Sequence, residues 1–257
     1  MPGFYAIGSD GRPQVSLLFL GGKEFRLQTA FRFVDSREPT SWTIHAHSGE
    51  EQTDLASSPP WLWGLTASYG RQLLPALLHD ERDVAATRTY QQDRARGYAE
   101  RRQADLQFRR ALMIQNIPLL RARMFWAAVT MQRQFRFGRP LTGLCFAVQL
   151  LLAAASSWGF VVGALLPGLP ALPWLLGFLV ALLVLPLAQG RDYLAGLAGS
   201  VAAPVVAVVL LVNALANVAL WLLDVPYLVF RSVRALLKGD PVRPWPAPVP
   251  TQFRHFL

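Results

Sequence analysis

Residues 140–220 constrain the fold more than any other part of the chain, because they include only two charged side chains, Arg191 and Asp192. A helix needs about 20 consecutive, mostly apolar residues to cross a membrane. Apolar stretches cover residues 141–166, 173–188 and 201–223, and the polar residues 189–192 interrupt them. The sequence therefore predicts an α-helical membrane region over residues 140–224, with two to three apolar helices.

The segment that precedes this region is basic and amphipathic. After Pro118, apolar side chains recur at helical spacing and arginines lie on the other faces. A helix of this kind is typical of one that lies on an anionic membrane surface. The candidate membrane-surface residues are Arg121, Arg123, Arg133 and Arg136. We expect the lipid bilayer and anionic lipid headgroups as partners, and docking of the helix on the soluble part of the chain is the alternative.

Charge also predicts the orientation. The chain carries a formal charge of +9, and arginine-rich segments beside a first span stay in the cytoplasm. Residues 1–14 lack the basic and apolar segments of a signal peptide. We therefore expect an integral protein of a bacterial inner membrane with a cytoplasmic N-terminal domain. The side of the basic, proline-rich tail, residues 225–257, is left open, because three spans would place its arginines outside.

The first 90 residues show the alternation of half-buried strands. Strands are predicted near residues 14–20, 25–33 and 42–46, and a helix that contains His79 follows. Three strands with one apolar face need a covering layer, which the helix supplies. The prediction is an α+β N-terminal domain over residues 1–90, a small antiparallel sheet covered by a helix. A long polar connecting helix and the basic amphipathic helix fill residues 91–139.

The densest cluster of candidate site residues joins a polar turn to this covering helix. It consists of Asp54 and Ser57 in the turn and of His79 and Asp80 in the helix. Helical spacing places Asp80 at the edge of the apolar face and His79 on a more exposed side. In one interpretation Asp80 accepts hydrogen bonds from the turn and only stabilises the fold. In the other, the four residues form a metal-free catalytic site.

The same residues carry a resemblance. The pattern Thr53-Asp54-x-Ala56-Ser57-x-Pro59, followed about twenty residues later by His79-Asp80, resembles a phage and bacterial family of unknown function, the domain family numbered 1353. The resemblance covers roughly residues 14–90. Since the family has no settled activity, it implies a module and not a reaction.

Metal binding is disfavoured by the number and placement of the histidines. His45 and His47 share one strand face, and His79 would be needed as a third ligand. We expect the sheet to separate the strand histidines from the covering helix, so neither a metal nor another cofactor is predicted. The arginines of residues 91–115 lack an aromatic platform or a recognition motif, which disfavours a nucleic-acid partner.

Three functions are compatible with these features. The first is a membrane-anchored accessory protein of an envelope or phage assembly, whose cytoplasmic domain binds a protein partner or a second copy. The second is a metal-independent hydrolase near the membrane that uses His79 with Asp54, Asp80 and Ser57. The third is a small holin-like pore. It rests on Asn213 and Asn217, which share a helix face and are expected to form polar contacts between helices.

Overall fold

A computed structural model describes residues 2–21, 24–37, 41–47, 70–138, 140–166 and 168–238. Among these described residues, five short strands come first: β1 (Gly3–Ala6), β2 (Leu17–Gly21), β3 (Glu24–Leu27), β4 (Phe31–Val34) and β5 (Trp42–Ile44). They form two antiparallel sheets, one with the order β1–β4–β5 and one that pairs β2 with β3. The predicted strand over residues 25–33 is thus divided between the two sheets.

The other regular elements of the described chain are helices. They are α1 (Leu73–Gln92), α2 (Arg94–Ile114), α3 (Leu119–Arg136), α4 (Pro140–Leu165), α5 (Leu172–Leu179) and α6 (Tyr193–Lys238). Between α5 and α6 the chain continues as a π-helical turn, Val180–Val184, and a 3₁₀ segment, Leu185–Asp192. The predicted fold class, a small α+β domain followed by a helical region, is confirmed.

The core of the N-terminal part lies between the strands and the first two helices. Phe31, Phe33 and Ile44 are at most 1% exposed, and they pack against Leu77 and Leu78 of α1. The alternation of the strand sequence therefore identifies the buried face correctly. The helix α1 covers this face as predicted, and α2 contributes a residue to the same core.

Helix α2 packs closely along α1 and is not solvated on all sides. A Cβ atom placed on Gly97 would lie 2.3 Å from the Cα atom of Tyr90, so only glycine allows this approach of the two backbones. Asp93 ends α1 and caps α2, because its carboxylate accepts hydrogen bonds from the backbone N–H groups of Ala95 and Arg96. The turn between the helices is therefore tight, and the polar faces of α1 and α2 meet.

Helices α4 and α5 form an antiparallel hairpin with small residues at the contact. A Cβ atom on Gly159 would lie 2.3 Å from the Trp174 ring, and one on Gly177 would lie 2.8 Å from the Ser156 hydroxyl. Such small residues allow apolar helices to approach closely without a hydrophobic driving force between them. The hairpin returns the chain to the start of α4, where residues 189–192 lie.

Two helical stretches in the described part of the chain are long and apolar enough to cross a membrane. They are Leu141–Leu165, with a mean hydropathy of 1.8, and Leu172–Arg234, with a mean hydropathy of 2.4. Only 22% and 0% of their most apolar windows are buried, whereas the core helix of a soluble protein is mostly buried. The structure thus agrees with the predicted membrane association.

The chain divides into two compact units, Met1–Ala207 and Val208–Leu257. In the second unit, residues 208–238 are described, and they form the C-terminal part of α6. Here the side chain of Asn213 donates a hydrogen bond to the Val209 carbonyl (2.8 Å), and Asn217 donates to the Asn213 carbonyl (2.7 Å). Both amides thus bond within their own helix.

Candidate functional site

The centre of the candidate site is the carboxylate of Asp105, which lies in the middle of α2 and is fully buried. The Nε2 atom of His79, on α1, is 3.0 Å from Oδ1 of Asp105. The His79 ring packs at 4.9 Å from the ring of Phe108, one turn further along α2. An ionised carboxylate only accepts hydrogen bonds, so we assign the proton of the neutral imidazole to Nε2.

Two arginines compensate the buried charge of Asp105. Arg133 of α3 donates from Nε to Oδ2 over 2.7 Å, and Arg101 of α2 approaches Oδ1 with its Nε atom at 3.6 Å. Arg133 is 0% exposed and Arg101 is 1% exposed. Arg101 also forms an ion pair with Asp83 of α1. A buried carboxylate is tolerated only when donors of this kind surround it.

The network continues into the apolar region through Asp192, the last residue of the 3₁₀ segment. Its Oδ2 atom accepts hydrogen bonds from Arg133 (2.9 Å) and from Gln134 (3.0 Å). Its Oδ1 atom accepts one from Nε of Arg102, on α2, at 3.0 Å. Asp192 is 4% exposed, and it is the only acidic residue in residues 140–220. Arg133 therefore bridges two carboxylates, one in the N-terminal part and one in the apolar part.

Burial and neighbouring charges set the protonation states in this network. Burial lowers the pKa of His79, and the charge of Arg101 lowers it further, which outweighs the opposite effect of Asp105. For Asp105, burial alone would raise the pKa, but the hydrogen bond from His79 and the charges of Arg133 and Arg101 lower it overall. At neutral pH His79 is therefore neutral and Asp105 is ionised. The neutral imidazole of His79 therefore donates a hydrogen bond to a charged carboxylate.

The structure describes two of the four residues that the sequence brings together as a site, His79 and Asp80. His79 is 6% exposed, so the predicted exposed orientation is wrong, because α2 covers the polar side of α1. Its partner is Asp105, 26 positions along the chain. Asp80 is half-buried, and its charge acts on Arg101. Asp54 and Ser57 lie outside the described residues, as does the turn from which Asp80 was expected to accept hydrogen bonds.

The candidate membrane-surface arginines divide into two groups. Arg121, Arg123 and Arg136 are exposed, as expected for side chains that reach headgroups. The prediction that Arg133 lies at the membrane surface is wrong, because Arg133 lies on the buried face of α3 and pairs with Asp105 and Asp192. Helical spacing alone does not distinguish this arginine from the others, since its position depends on which face of α3 packs against α2.

The histidines proposed as alternative metal ligands have separate partners. His45 is 3.2 Å from Glu81 of α1, so the expectation that the sheet separates it from this helix is wrong. His47 accepts a hydrogen bond from the Leu27 backbone N–H at its Nδ1 atom over 3.3 Å. Among the residues that the structure describes, no three His, Cys, Asp or Glu side chains are grouped so that they could hold a metal ion.

Sequence reasoning missed the carboxylates that organise the site. Helical spacing places Asp105 one turn from Arg109, whereas its partners in the structure are Arg101, Arg133 and His79. A signal for Asp192 was present, because an isolated acidic residue between apolar stretches needs a cationic partner elsewhere in the chain. No pattern in the sequence states that this partner is Arg133.

A known protein family matches the part of the chain that contains His79 and Asp105. Residues 25–129 match the model of a family described as Protein of unknown function (DUF1353). The resemblance predicted from the sequence is confirmed for this segment. The match extends beyond residue 90 through α2 and into α3, so it includes His79 and Asp105 but ends before Arg133 and the apolar helices. No curated protein and no solved structure matches the chain.

Proposed function

We propose that the protein is a membrane-anchored accessory protein. Its N-terminal module, which consists of the strands and helices α1 to α3, is fixed to the cytoplasmic face of a bacterial inner membrane. The observation that carries this proposal is the Asp105–Arg133–Asp192 bridge. It joins the family-like segment, residues 25–129, to the apolar helices. A flexible tether would also hold the module at the membrane. Unlike a tether, a bridge with buried charges fixes the position of the module relative to the lipid surface.

The antiparallel hairpin supports the proposed orientation. Thr142, in the first turn of α4, and Asp192, at the end of the return, both bond to Gln134 of α3. Both ends of the hairpin therefore lie beside the N-terminal module, and the connection between α4 and α5 lies at the opposite end. The exposed arginines of α3 lie on the module's side of the hairpin, and the positive-inside rule places this side in the cytoplasm.

Helix α3 supports the same position. Its buried face combines Trp126 and two alanines with Arg133, whereas Leu120 and Phe135 are 54% and 46% exposed. An amphipathic helix of a soluble protein usually buries its large apolar side chains and exposes its arginines. We infer that this apolar stripe faces the lipid, beside the spanning helices, and that Arg121 and Arg123 contact anionic headgroups.

The geometry supports an accessory role better than catalysis. His79 is the candidate general base of the predicted site. Its Nε2 atom is bonded to Asp105, and its ring is buried against Phe108. A general base needs access to the proton that it removes. The pair of His79 and Asp105 is nevertheless the one feature that favours a hydrolase, since a carboxylate often orients a catalytic histidine. In the accessory role the same pair stabilises the packing of α1 on α2.

A pore has less support than either of these functions. Asn213 and Asn217 each donate a hydrogen bond to a carbonyl of their own helix, which satisfies part of their polar groups without a partner helix. The accessory role that we propose includes binding of a protein partner or a second copy of the chain by the module, in an envelope or phage assembly.

Site-specific labelling of the full chain tests both anchoring and orientation. In a Cys145→Ser background, Ser9→Cys and Leu169→Cys place single thiols at exposed positions in the module and in the hairpin connection. We expect an impermeant maleimide to label Leu169→Cys in intact spheroplasts and Ser9→Cys only after permeabilisation. The protein should stay in the membrane pellet in alkaline carbonate. Labelling of both thiols in intact spheroplasts, or release by carbonate, would refute the proposal.

A further inference from the structure

A cavity of about 320 Å³ lies where the N-terminal module meets the apolar helices. Residues of α2, α3, the first turn of α4 and the 3₁₀ segment line it, among them Tyr98, Arg102, Gln134, Thr142, Gln189 and Arg191. Its volume is at the lower end of the roughly 300–1,000 Å³ of small-ligand sites. Because Thr142 begins the first apolar helix, the cavity opens at the boundary between the polar and apolar parts of the chain.

The cavity has an excess of positive charge. The one carboxylate in its lining, that of Asp192, already accepts hydrogen bonds from Arg102, Arg133 and Gln134. Arg102 uses its Nε and Nη2 atoms within the described chain, the second on the carbonyl of Arg191, and this leaves Nη1. Arg191 is exposed and forms no ion pair with any described residue. An anion is therefore the ligand that this lining favours.

A second observation points to a hydrogen-bond donor on the same ligand. Gln189 is 8% exposed, and its Oε1 atom has no hydrogen-bond partner among the described residues. A buried carbonyl oxygen without a donor is costly, and a ligand hydroxyl would satisfy it. Gly190 follows with a φ of 55°, which turns the chain so that Gln189 and Arg191 both line the cavity.

We propose that this cavity binds the phosphoglycerol headgroup of an anionic membrane phospholipid. The phosphate contacts the guanidinium groups of Arg191 and Arg102, and a glycerol hydroxyl donates a hydrogen bond to Oε1 of Gln189. The inference rests on the membrane position proposed above, which brings headgroups to the level of Thr142. An ethanolamine or choline headgroup fits less well, because its cationic nitrogen would face the two arginines.

Lipid-dependent thermal stabilisation of the full chain in a neutral detergent tests the proposal, since a ligand that binds only the folded state raises the Tm. The probes are phosphatidylglycerol, phosphatidic acid and phosphatidylcholine with the same acyl chains, and free glycerol 1-phosphate. The first test variant is Arg191→Gln, and its matched control is Arg94→Gln, which removes the same charge at an exposed position of α2. The second is Gln189→Leu, which removes the acceptor and keeps a similar volume.

We expect phosphatidylglycerol to stabilise the protein at lower concentrations than phosphatidylcholine and glycerol 1-phosphate. Loss of one charge-assisted contact in Arg191→Gln should raise the half-saturating concentration about tenfold, with no change in Arg94→Gln. Gln189→Leu should raise the half-saturating concentration of phosphatidylglycerol about fivefold, which corresponds to the loss of one neutral hydrogen bond. The half-saturating concentration of phosphatidic acid, which lacks the glycerol hydroxyl, should not change.

Three results would overturn the inference. Equal weakening by Arg191→Gln and Arg94→Gln would show a general charge effect without a site. Glycerol 1-phosphate as potent as phosphatidylglycerol would show a soluble phosphate ligand, and equal stabilisation by phosphatidylcholine would show no headgroup selection. If carbonate releases the protein but phosphatidylglycerol still stabilises it selectively, only the proposed membrane anchoring is contradicted. If the protein stays in the membrane pellet but shows no headgroup selectivity, only the proposed lipid site is contradicted.

Discussion

Replacement of Asp105 by asparagine tests the buried network most directly. The side chain keeps its shape and loses its charge, so the change affects Arg133, Arg101 and His79 without leaving a cavity. One amide N–H group would face the imidazole, which can change tautomer and accept it. The buried guanidinium groups cannot adapt in this way, because arginine has no acceptor and stays protonated.

The expected cost follows from the burial of the partners. Both Asp105 and Arg133 are 0% exposed, so the variant leaves one buried cation with a single carboxylate, that of Asp192. Removing one partner of a buried ion pair typically costs about 3–5 kcal/mol. For a unit of 150–250 residues, about 1 kcal/mol shifts the Tm by 2–4 °C, so Asp105→Asn should lower it by about 6–20 °C.

The assay is thermal unfolding of the full chain in detergent, followed by tryptophan fluorescence. Trp126 is a suitable reporter, since it is 3% exposed on α3 and packs under the guanidinium group of Arg109 at 4.4 Å. Asp10→Asn is the matched control, because Asp10 pairs with Arg32 at the surface, where its side chain is 90% exposed. The control should cost at most about 1 kcal/mol. Equal Tm values for the two variants would refute the buried network.

Three further changes test other parts of the structure. Asp192→Asn should lower the free energy of unfolding by about 1.5–3 kcal/mol or more, since three donors lose a charged acceptor. Hydrogen exchange should then increase in α2 and α3 but not in the α4–α5 hairpin. Unchanged exchange in α2 and α3 would contradict the bridge. Burial lowers the pKa of His79, so the unfolded chain binds the proton more tightly, and stability that is present above about pH 6.5 is lost as the pH falls below it. His79→Gln, which keeps a donor but does not titrate, should reduce this loss in unfolding measured between about pH 7.5 and 5.5, and an equal loss in both proteins would assign it to other groups. Gly97→Ala should lower the free energy of unfolding by about 1–3 kcal/mol, because the added Cβ atom meets the backbone of Tyr90. Alanine has the higher helix propensity, by about 1 kcal/mol. A gain in stability of that size would show that α1 and α2 do not pack this closely.

The sequence determined the features that depend on local pattern. Alternation along residues 25–33 identified Phe31 and Phe33 as core residues, and the low charge of residues 140–220 identified the apolar helices. The break at residues 189–192 and the small sheet covered by α1 were also predicted. The paired motifs at residues 53–59 and 79–80 identified the family-like segment. Each of these follows from period, length or spacing within one stretch of chain.

Only the tertiary structure decided the partners of the polar residues. The sequence makes α2 look like a solvated helix, because a polar face buried against other polar faces has the same composition as one in water. Packing against α1 and α3 buries Arg101 and Asp105, and it brings Arg133 to Asp192 across 59 positions of sequence. His79 is buried for the same reason, since a second helix covers the face that one helix would leave exposed. Charge pairing across helices depends on their rotation and crossing, which spacing along a single helix does not specify.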